Sequence, residues 1–226
     1  KLLPTVGPVI SEAVRQADAL FCVSDQLRML MARQYGADLR QTYVIPCLAD
    51  ETRFVFDPNR RRHMRSQAGL DEKKVIIFPG STAQWHYLEP SLKVVSDLMK
   101  RDPRVHFVAL SPDVEGMTAT VSKSLPPHRW TVRSVPHSEV SDWLNAADFG
   151  LLLREQHPVN RVASPTKLAE YMLCGLPVII NEGIGDFSDL VAQQESGLLI
   201  DEKSPDSYLT SFFELVADHS RGHHST

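Results

Sequence analysis

Short apolar runs alternate with amphipathic stretches along most of the chain, and the alternation predicts strand and helix in turn. Residues 9–18 read as helix and residues 19–23 (ALFCV) as a short buried strand. Ser24 is a favoured N-cap for an amphipathic helix over Asp25–Tyr35, with Leu27, Leu30 and Met31 on one face and Gly36 closing it. Residues 42–46 (TYVIP) predict the next strand, residues 60–68 a helix ended by Gly69, and residues 74–78 (KVIIF) a buried strand leading into Pro79-Gly80-Ser81-Thr82. A helix over Leu88–Arg101, a strand over Val105–Leu110, a helix over Val114–Ser124, a strand over 130–135 and a helix over 139–146 follow. Residues 148–153 (DFGLLL) predict a further strand. After the central helix and the strand at Val178, Ile179 and Ile180 come a helix over 187–194, a strand over Gly197–Ile200 and a final helix over 205–217. Near-continuous apolar strands between helices imply an α/β chain: a Rossmann-like parallel sheet with helices on both faces.

The stretch 151–181 organises the rest. Ser164 as N-cap, Pro165 at the first helical position and Gly175 past the last turn predict both ends of its helix. That start leaves the amides of Thr166 and Lys167 unpaired at the positive end of the helix dipole, a ready anion site. Thr166 adds a hydroxyl, Lys167 a cation, and Glu170 lies one turn on along the same side, placed to accept hydrogen bonds from a ribose beside a bound diphosphate. The same spacing fits an ordinary capped helix with a Lys167–Glu170 surface pair, and the residues alone leave both readings open. Arg154, after three leucines at a strand's carboxyl end, predicts a phosphate or sugar contact. At Gly80 and Ser81 a small-residue bend after a strand lets the backbone approach a phosphate. Trp85 and His86 follow it and fit a cleft lining, although an aromatic beginning a helix more often packs. Residues 134–137 (SVPH) end another strand on the ligand-bearing edge, although His137 or Ser138 also fits as a plain helix cap.

The 226 residues are 42% hydrophobic and 23% charged, as in a globular chain with a sizeable core. A net charge of −4 argues against nucleic acid as a partner, and the cluster Arg60-Arg61-Arg62-His63 with Arg65, free of interleaved aromatics, predicts a solvated helix face. Cys22, Cys47 and Cys174 are too scattered for a disulfide framework or zinc site and read as buried thiols. No apolar run approaches the roughly 20 residues needed to cross a bilayer, and Lys1-Leu2-Leu3-Pro4 lacks a signal-peptide core, which predicts a cytoplasmic protein. A start without Met, partway into a fold, predicts a fragment of a longer chain, and the tail 219–226, with His223 and His224, reads as frayed.

SPTKLAEYMLCGLPVIIN, residues 164–181, resembles the nucleotide-sugar signature of the GT-B glycosyltransferases of group 1, the GT4-like family. Ala17-Asp18, Val23-Ser24 and Val44-Ile45-Pro46 stand in the order that marks that family's crossing into its C-terminal domain. The resemblance divides the chain into residues 1–46, a remnant of the N-terminal acceptor domain, and residues 47–218, the donor-binding domain. It implies transfer of a sugar, with retention, from a nucleotide-diphosphate sugar to an acceptor hydroxyl, without metal or other cofactor. Ser164, Thr166 and Lys167 would hold the diphosphate, Glu170 the ribose, and backbone groups near Val135 and His137 the base. Ser81 replaces the family's loop Arg, His86 lies near its Lys position, and Val162 replaces a second Glu for which Glu155 is the nearby alternative. Charge stabilisation therefore passes to Lys167 and Arg154. A nucleotide-sugar epimerase and a silent nucleotide-sugar-binding subunit remain alternatives. The acceptor stays open, a glycan or lipid-linked sugar among the choices, as does attachment to the inner face of a membrane through the absent half.

Overall fold

In a computed structural model, described over residues 6–222, two parallel sheets organise the chain. The first is a pair. After helix α1 (Val6–Gln16), β1 (Leu20–Cys22) lies beside β2 (Thr42–Val44) with α2 (Asp25–Tyr35) as the crossover. Ser24 starts α2 as its residue type predicts, its Oγ accepting the Leu27 amide at 3.0 Å. The same hydroxyl donates to the Val162 carbonyl at 2.8 Å, and the Asp186 carboxylate accepts the amides of Asp25 and Gln26 at 2.6 and 3.2 Å. The leading segment is thus bonded to loops more than a hundred residues away.

The second sheet follows α3 (Pro58–Ala68). Its elements are β3 (Lys74–Pro79), α4 (Leu88–Arg101), β4 (Val105–Leu110), α5 (Val114–Ser124), β5 (Trp130–Arg133), α6 (His137–Ala146) and β6 (Phe149–Leu152). Then come α7 (Pro158–Arg161), α8 (Thr166–Leu173), β7 (Val178–Asn181), α9 (Phe187–Gln193), β8 (Gly197–Ile200) and α10 (Pro205–Gly222). All six strands run parallel in the order β5-β4-β3-β6-β7-β8. From β3 the chain winds outward through β4 and β5, then returns to β6 on the other side of β3. The carboxyl ends of β3 and β6 therefore flank the point where winding reverses, and such a point opens a crevice.

Successive strand residues feed opposite layers. Ile76, Phe78, Phe107 and Leu151 pack with Leu92 and Phe212, whereas Val75, Ile77, Val108 and Leu152 pack with Trp143 and Tyr171. The period of two and the double-sided burial are why these strands read as unbroken apolar runs. Each such buried side chain contributes about 1.5–3 kcal/mol over its exposed state.

Four expectations change. The polar loop before α8 contains α7, a single helical turn too short to leave a periodic pattern. The arginine cluster is only partly solvated: Arg65 is buried, donating to the Ala146 carbonyl at 2.8 Å, and both Arg61 and Arg65 pair with Asp148. Asp148 also accepts the Val75 amide at 2.7 Å, so those charges tie α3 to the start of the sheet. Cys22 and Cys174 are buried free thiols, but Cys47 is half-exposed. Helix α10 runs on to Gly222, past the predicted stop. Lys1–Pro4 and the tail histidines His223 and His224 lie outside the described residues. No described helix is long and apolar enough to cross a membrane.

His106 on β4 sets an acid limit. It is buried, Nε2 meets Thr131 Oγ1 at 2.9 Å, and Nδ1 has no partner. Burial first, then the charges of Lys73 and Arg129, lower it from 6.5 to about 4. The unfolded chain thus binds the extra proton first, and stability present above pH 6.5 is lost as pH falls toward 4. His106→Gln is expected to remove about 3 kcal/mol of that loss, measured as the difference from wild type in urea unfolding at pH 7 and pH 4. Taking the difference cancels His86, which titrates over the same window.

Candidate functional site

At the winding reversal, β3 runs out through Pro79 into Gly80, and β6 through Leu153 into Arg154. The first exit is tight: a Cβ on Gly80 would lie 2.7 Å from the Phe78 ring and 3.2 Å from His86 Nδ1. The second is fixed by Asn181, 1% exposed at the end of β7. Its Oδ1 accepts the Arg154 amide at 3.0 Å and its Nδ2 donates to the Arg154 carbonyl at 2.8 Å, continuing the β-ladder with a side chain. The Arg154 guanidinium then reaches across to the Trp85 carbonyl at 2.6 Å.

Helix α8 begins in the same corner. Its N-cap is Pro165, with no side-chain cap, and not Ser164 as predicted. Ser164 Oγ instead accepts the Cys47 amide at 2.9 Å, a partner 117 residues away that local spacing does not encode. The shift leaves the helix start more open. Among the described residues the amides of Thr166 and Lys167 have no partner, the first bond of the turn being Leu168 N–H to the Pro165 carbonyl at 3.1 Å. The far end closes as predicted: Gly175 takes φ +68°, Leu176 donates to the Tyr171 carbonyl at 2.9 Å, and Gly175 to Met172 at 3.0 Å.

Side chains on this turn converge with the two strand exits. Lys167 Nζ lies 3.1 Å from His86 Nδ1 and 5.4 Å from the Phe78 ring centroid. Burial first, then the Arg154 charge, lower Lys167 to about 7, against the pull of Glu170. Burial likewise lowers Arg154. Among the described residues neither cation has a carboxylate partner, so the corner holds positive charge in search of an anion. Glu170, 9% exposed, is raised by burial, against the charges of His137, Lys167 and Arg53. Its carboxylate receives no hydrogen bond or ion pair among the described residues.

Arg154, Gly80, Thr166, Lys167 and Glu170 are thus brought together. His137 joins loosely: it is the exposed first residue of α6, 5.8 Å ring to ring from Phe54, and close enough to act on Glu170. Pro136 is the cap of α6 and makes no side-chain bond, so neither His137 nor Ser138 caps that helix. Val135 is half-buried against the core, and Ser81 turns inward to accept the Ala83 amide at 3.4 Å. The Val162 carbonyl is taken by Ser24, and Glu155 holds Asn160 through its backbone. Trp85, expected to pack, is 62% exposed. Sequence reasoning missed Asn181 and Arg53; the only signal for Asn181 was a polar residue closing an apolar strand at the ligand-bearing edge.

A cavity of about 780 Å³, lined by Arg61, Lys74, Asp148 and Pro177, sits at the opposite edge, at the amino ends of β3, β6 and β7. Its Arg61 is paired with Asp148 and its Lys74 with Asp102, while Arg62 and Lys73, also on its lining, have no carboxylate partner among the described residues. The carboxyl edge differs in adding the free amides of a helix start and a buried lysine, and is the candidate site.

The curated D-inositol 3-phosphate glycosyltransferase of Xylanimonas cellulosilytica is 27% identical, over 95% of this chain and 53% of the relative. The GDP-mannose-dependent alpha-(1-6)-phosphatidylinositol monomannoside mannosyltransferase of Mycolicibacterium smegmatis is 23% identical, over 97% of this chain and 58% of the relative. The chain spans about half the length of the curated relatives it matches. Among solved structures, Anabaena Alr3699/HepE in complex with UDP-glucose superposes with a TM-score of 0.72 at 17% identity, covering 96% of this chain and 59% of that one. Residues 73–218 match the family described as Glycosyl transferases group 1. Since that match spans most of the chain and takes in both strand exits and the open helix start, the chain belongs to the group 1 glycosyl transferases, with the Rossmann-like sheet of the GT-B carboxy-terminal half.

Proposed function

We propose that this chain is the donor-binding half of a glycosyltransferase that moves a sugar from a nucleotide-diphosphate sugar onto an acceptor hydroxyl. Glu170 carries the proposal: the residue is 9% exposed, and its carboxyl, raised by partial burial, has no hydrogen-bond or ion-pair partner among the described residues. A desolvated carboxylate left unpaired is costly, and two ribose hydroxyls supply the hydrogen bonds that it lacks. One turn back, about 6 Å along the helix, the free amides of Thr166 and Lys167 and the cations Lys167 and Arg154 suit a diphosphate. As the sugar leaves, charge gathers on the diphosphate, and these groups stabilise it where it develops. In this reading residues 47–218 form the donor domain and residues 1–46 the end of the acceptor-side domain. The named relatives, one bound to UDP-glucose and one GDP-mannose-dependent, support a nucleotide sugar as the donor class.

Calorimetric titration of the 226-residue chain with UDP, GDP, CDP and ADP tests the proposal. One of them is expected to bind, and Glu170→Ala to weaken it by about tenfold or more without lowering the thermal midpoint, since the substitution removes an unpaired buried charge. Unchanged affinity in Glu170→Ala would reduce α8 to an ordinary helix.

A further inference from the structure

The donor-binding reading leaves one side chain in the cleft without a role. His86 ends the single turn Gln84–His86 after the Gly80 bend, half-buried, its ring edge-on to Phe78 at 6.1 Å. Its Nδ1 lies 3.1 Å from Lys167 Nζ and 3.2 Å from where a Gly80 Cβ would stand, so imidazole, ammonium and bend share one corner. The neighbouring Trp85 carbonyl of the same turn takes the Arg154 guanidinium. When Lys167 is an ammonium it donates to Nδ1, which then carries the lone pair and leaves the proton of a neutral His86 on Nε2.

We infer that His86 is a positioning residue for the donor: through Nδ1 it holds the Lys167 ammonium over the Gly80 bend, and a nucleoside diphosphate bound there draws a proton into the site. The inference rests on the donor-binding reading above. Lys167 and then Arg154, from the loop after β6, disfavour a proton on His86; Arg154 also repels the Lys167 ammonium, which Glu170, on α8 itself, attracts; and His137 and Arg53 act on Glu170 in turn. Burial and these charges set Lys167 at about 7 and His86 at about 4 in the empty protein. Near neutrality Lys167 is therefore only partly charged. An arriving diphosphate favours the full ammonium, and solvent supplies the missing fraction. The anion raises a group that the empty site had lowered, so binding takes up protons and weakens as pH climbs through about 7.

The test is calorimetry of the 226-residue chain with UDP, GDP, CDP and ADP between pH 7 and 9, in buffer pairs of different ionisation enthalpy. The proton release of the terminal phosphate, which titrates at about 6 and still overlaps pH 7, is subtracted at the lower end. Wild type is expected to take up roughly half a proton at pH 7 and nearly one at pH 9, with affinity falling toward tenfold per pH unit. His86→Leu, which strips Lys167 of its acceptor, should bind about tenfold more weakly, and its decline should start at lower pH. His86→Asn, a neutral acceptor, should restore both. Binding without proton uptake, or a wild-type profile in His86→Leu, overturns the positioning role, while the donor site stands if Glu170→Ala still weakens binding. Failure of all four nucleotides to bind wild type overturns both.

Discussion

Replacing Arg154 and Lys167 together by alanine is expected to weaken nucleoside-diphosphate binding about a thousandfold while leaving the fold as stable as before. Each truncation removes a charge-assisted hydrogen bond to phosphate from a half-buried corner, a loss of about 2 kcal/mol, and two such losses are about three decades in Kd. The stability half follows from the empty site. The Arg154 charge lowers Lys167, burial lowers both, neither has a carboxylate partner among the described residues, and their side chains make single hydrogen bonds to Trp85 and His86. Removing mutual repulsion offsets those lost bonds. Calorimetry of the double variant beside a thermal melt reads both quantities. A double variant that binds as wild type does would show that the cations do not face the diphosphate, and one that unfolds would show that they serve the core.

Gly150→Ala is expected to cost about 3 kcal/mol or more, lowering the melting midpoint by roughly 10 °C, and to weaken donor binding although residue 150 touches no part of the cleft. Gly150 lies on β6 between Ile77 and Val178, and a Cβ there would stand 2.5–2.7 Å from three ring atoms of Tyr171. Tyr171 is fully buried on α8, its hydroxyl donating to the Leu151 carbonyl at 3.3 Å. The ring cannot yield within a close-packed layer, so α8 must be pushed off the sheet, and Thr166, Lys167 and Glu170 move with it. A displacement of about 1 Å is enough to cost a site two decades. In a Tyr171→Leu background the same glycine substitution should cost much less, because the opposing ring is gone; a double-mutant cycle in urea measures that coupling. Purely additive effects would show that the contact is not what constrains residue 150.

The sheet was legible because its information is local. Continuous apolar runs report strands covered on both faces, and Gly36, Gly69 and Gly175 mark helix ends that the structure reproduces. The open start of α8 was equally legible, since Thr166, Lys167 and Glu170 share one helical turn. What the sequence hid is contact across long separations. Ser164 serves Cys47 and leaves the cap to Pro165, Lys167 meets His86, and Asn181 grips Arg154. None of these pairs has a spacing that a pattern can report. Trp85 was misread for another reason: α4 begins only at Leu88, after a left-handed Tyr87, so the indole sits on the preceding turn and outside the helix's packed face.

The bonds from α2 to Val162 and Asp186 bear on where this molecule can be divided. A cut after residue 46 strands an acid without the peptide dipoles that neutralise it and a carbonyl without its hydroxyl, both on the seam beside the cradle. The leading segment thus braces the loops before α8 and after β7 from outside, as masonry for a corner to which it lends no side chain.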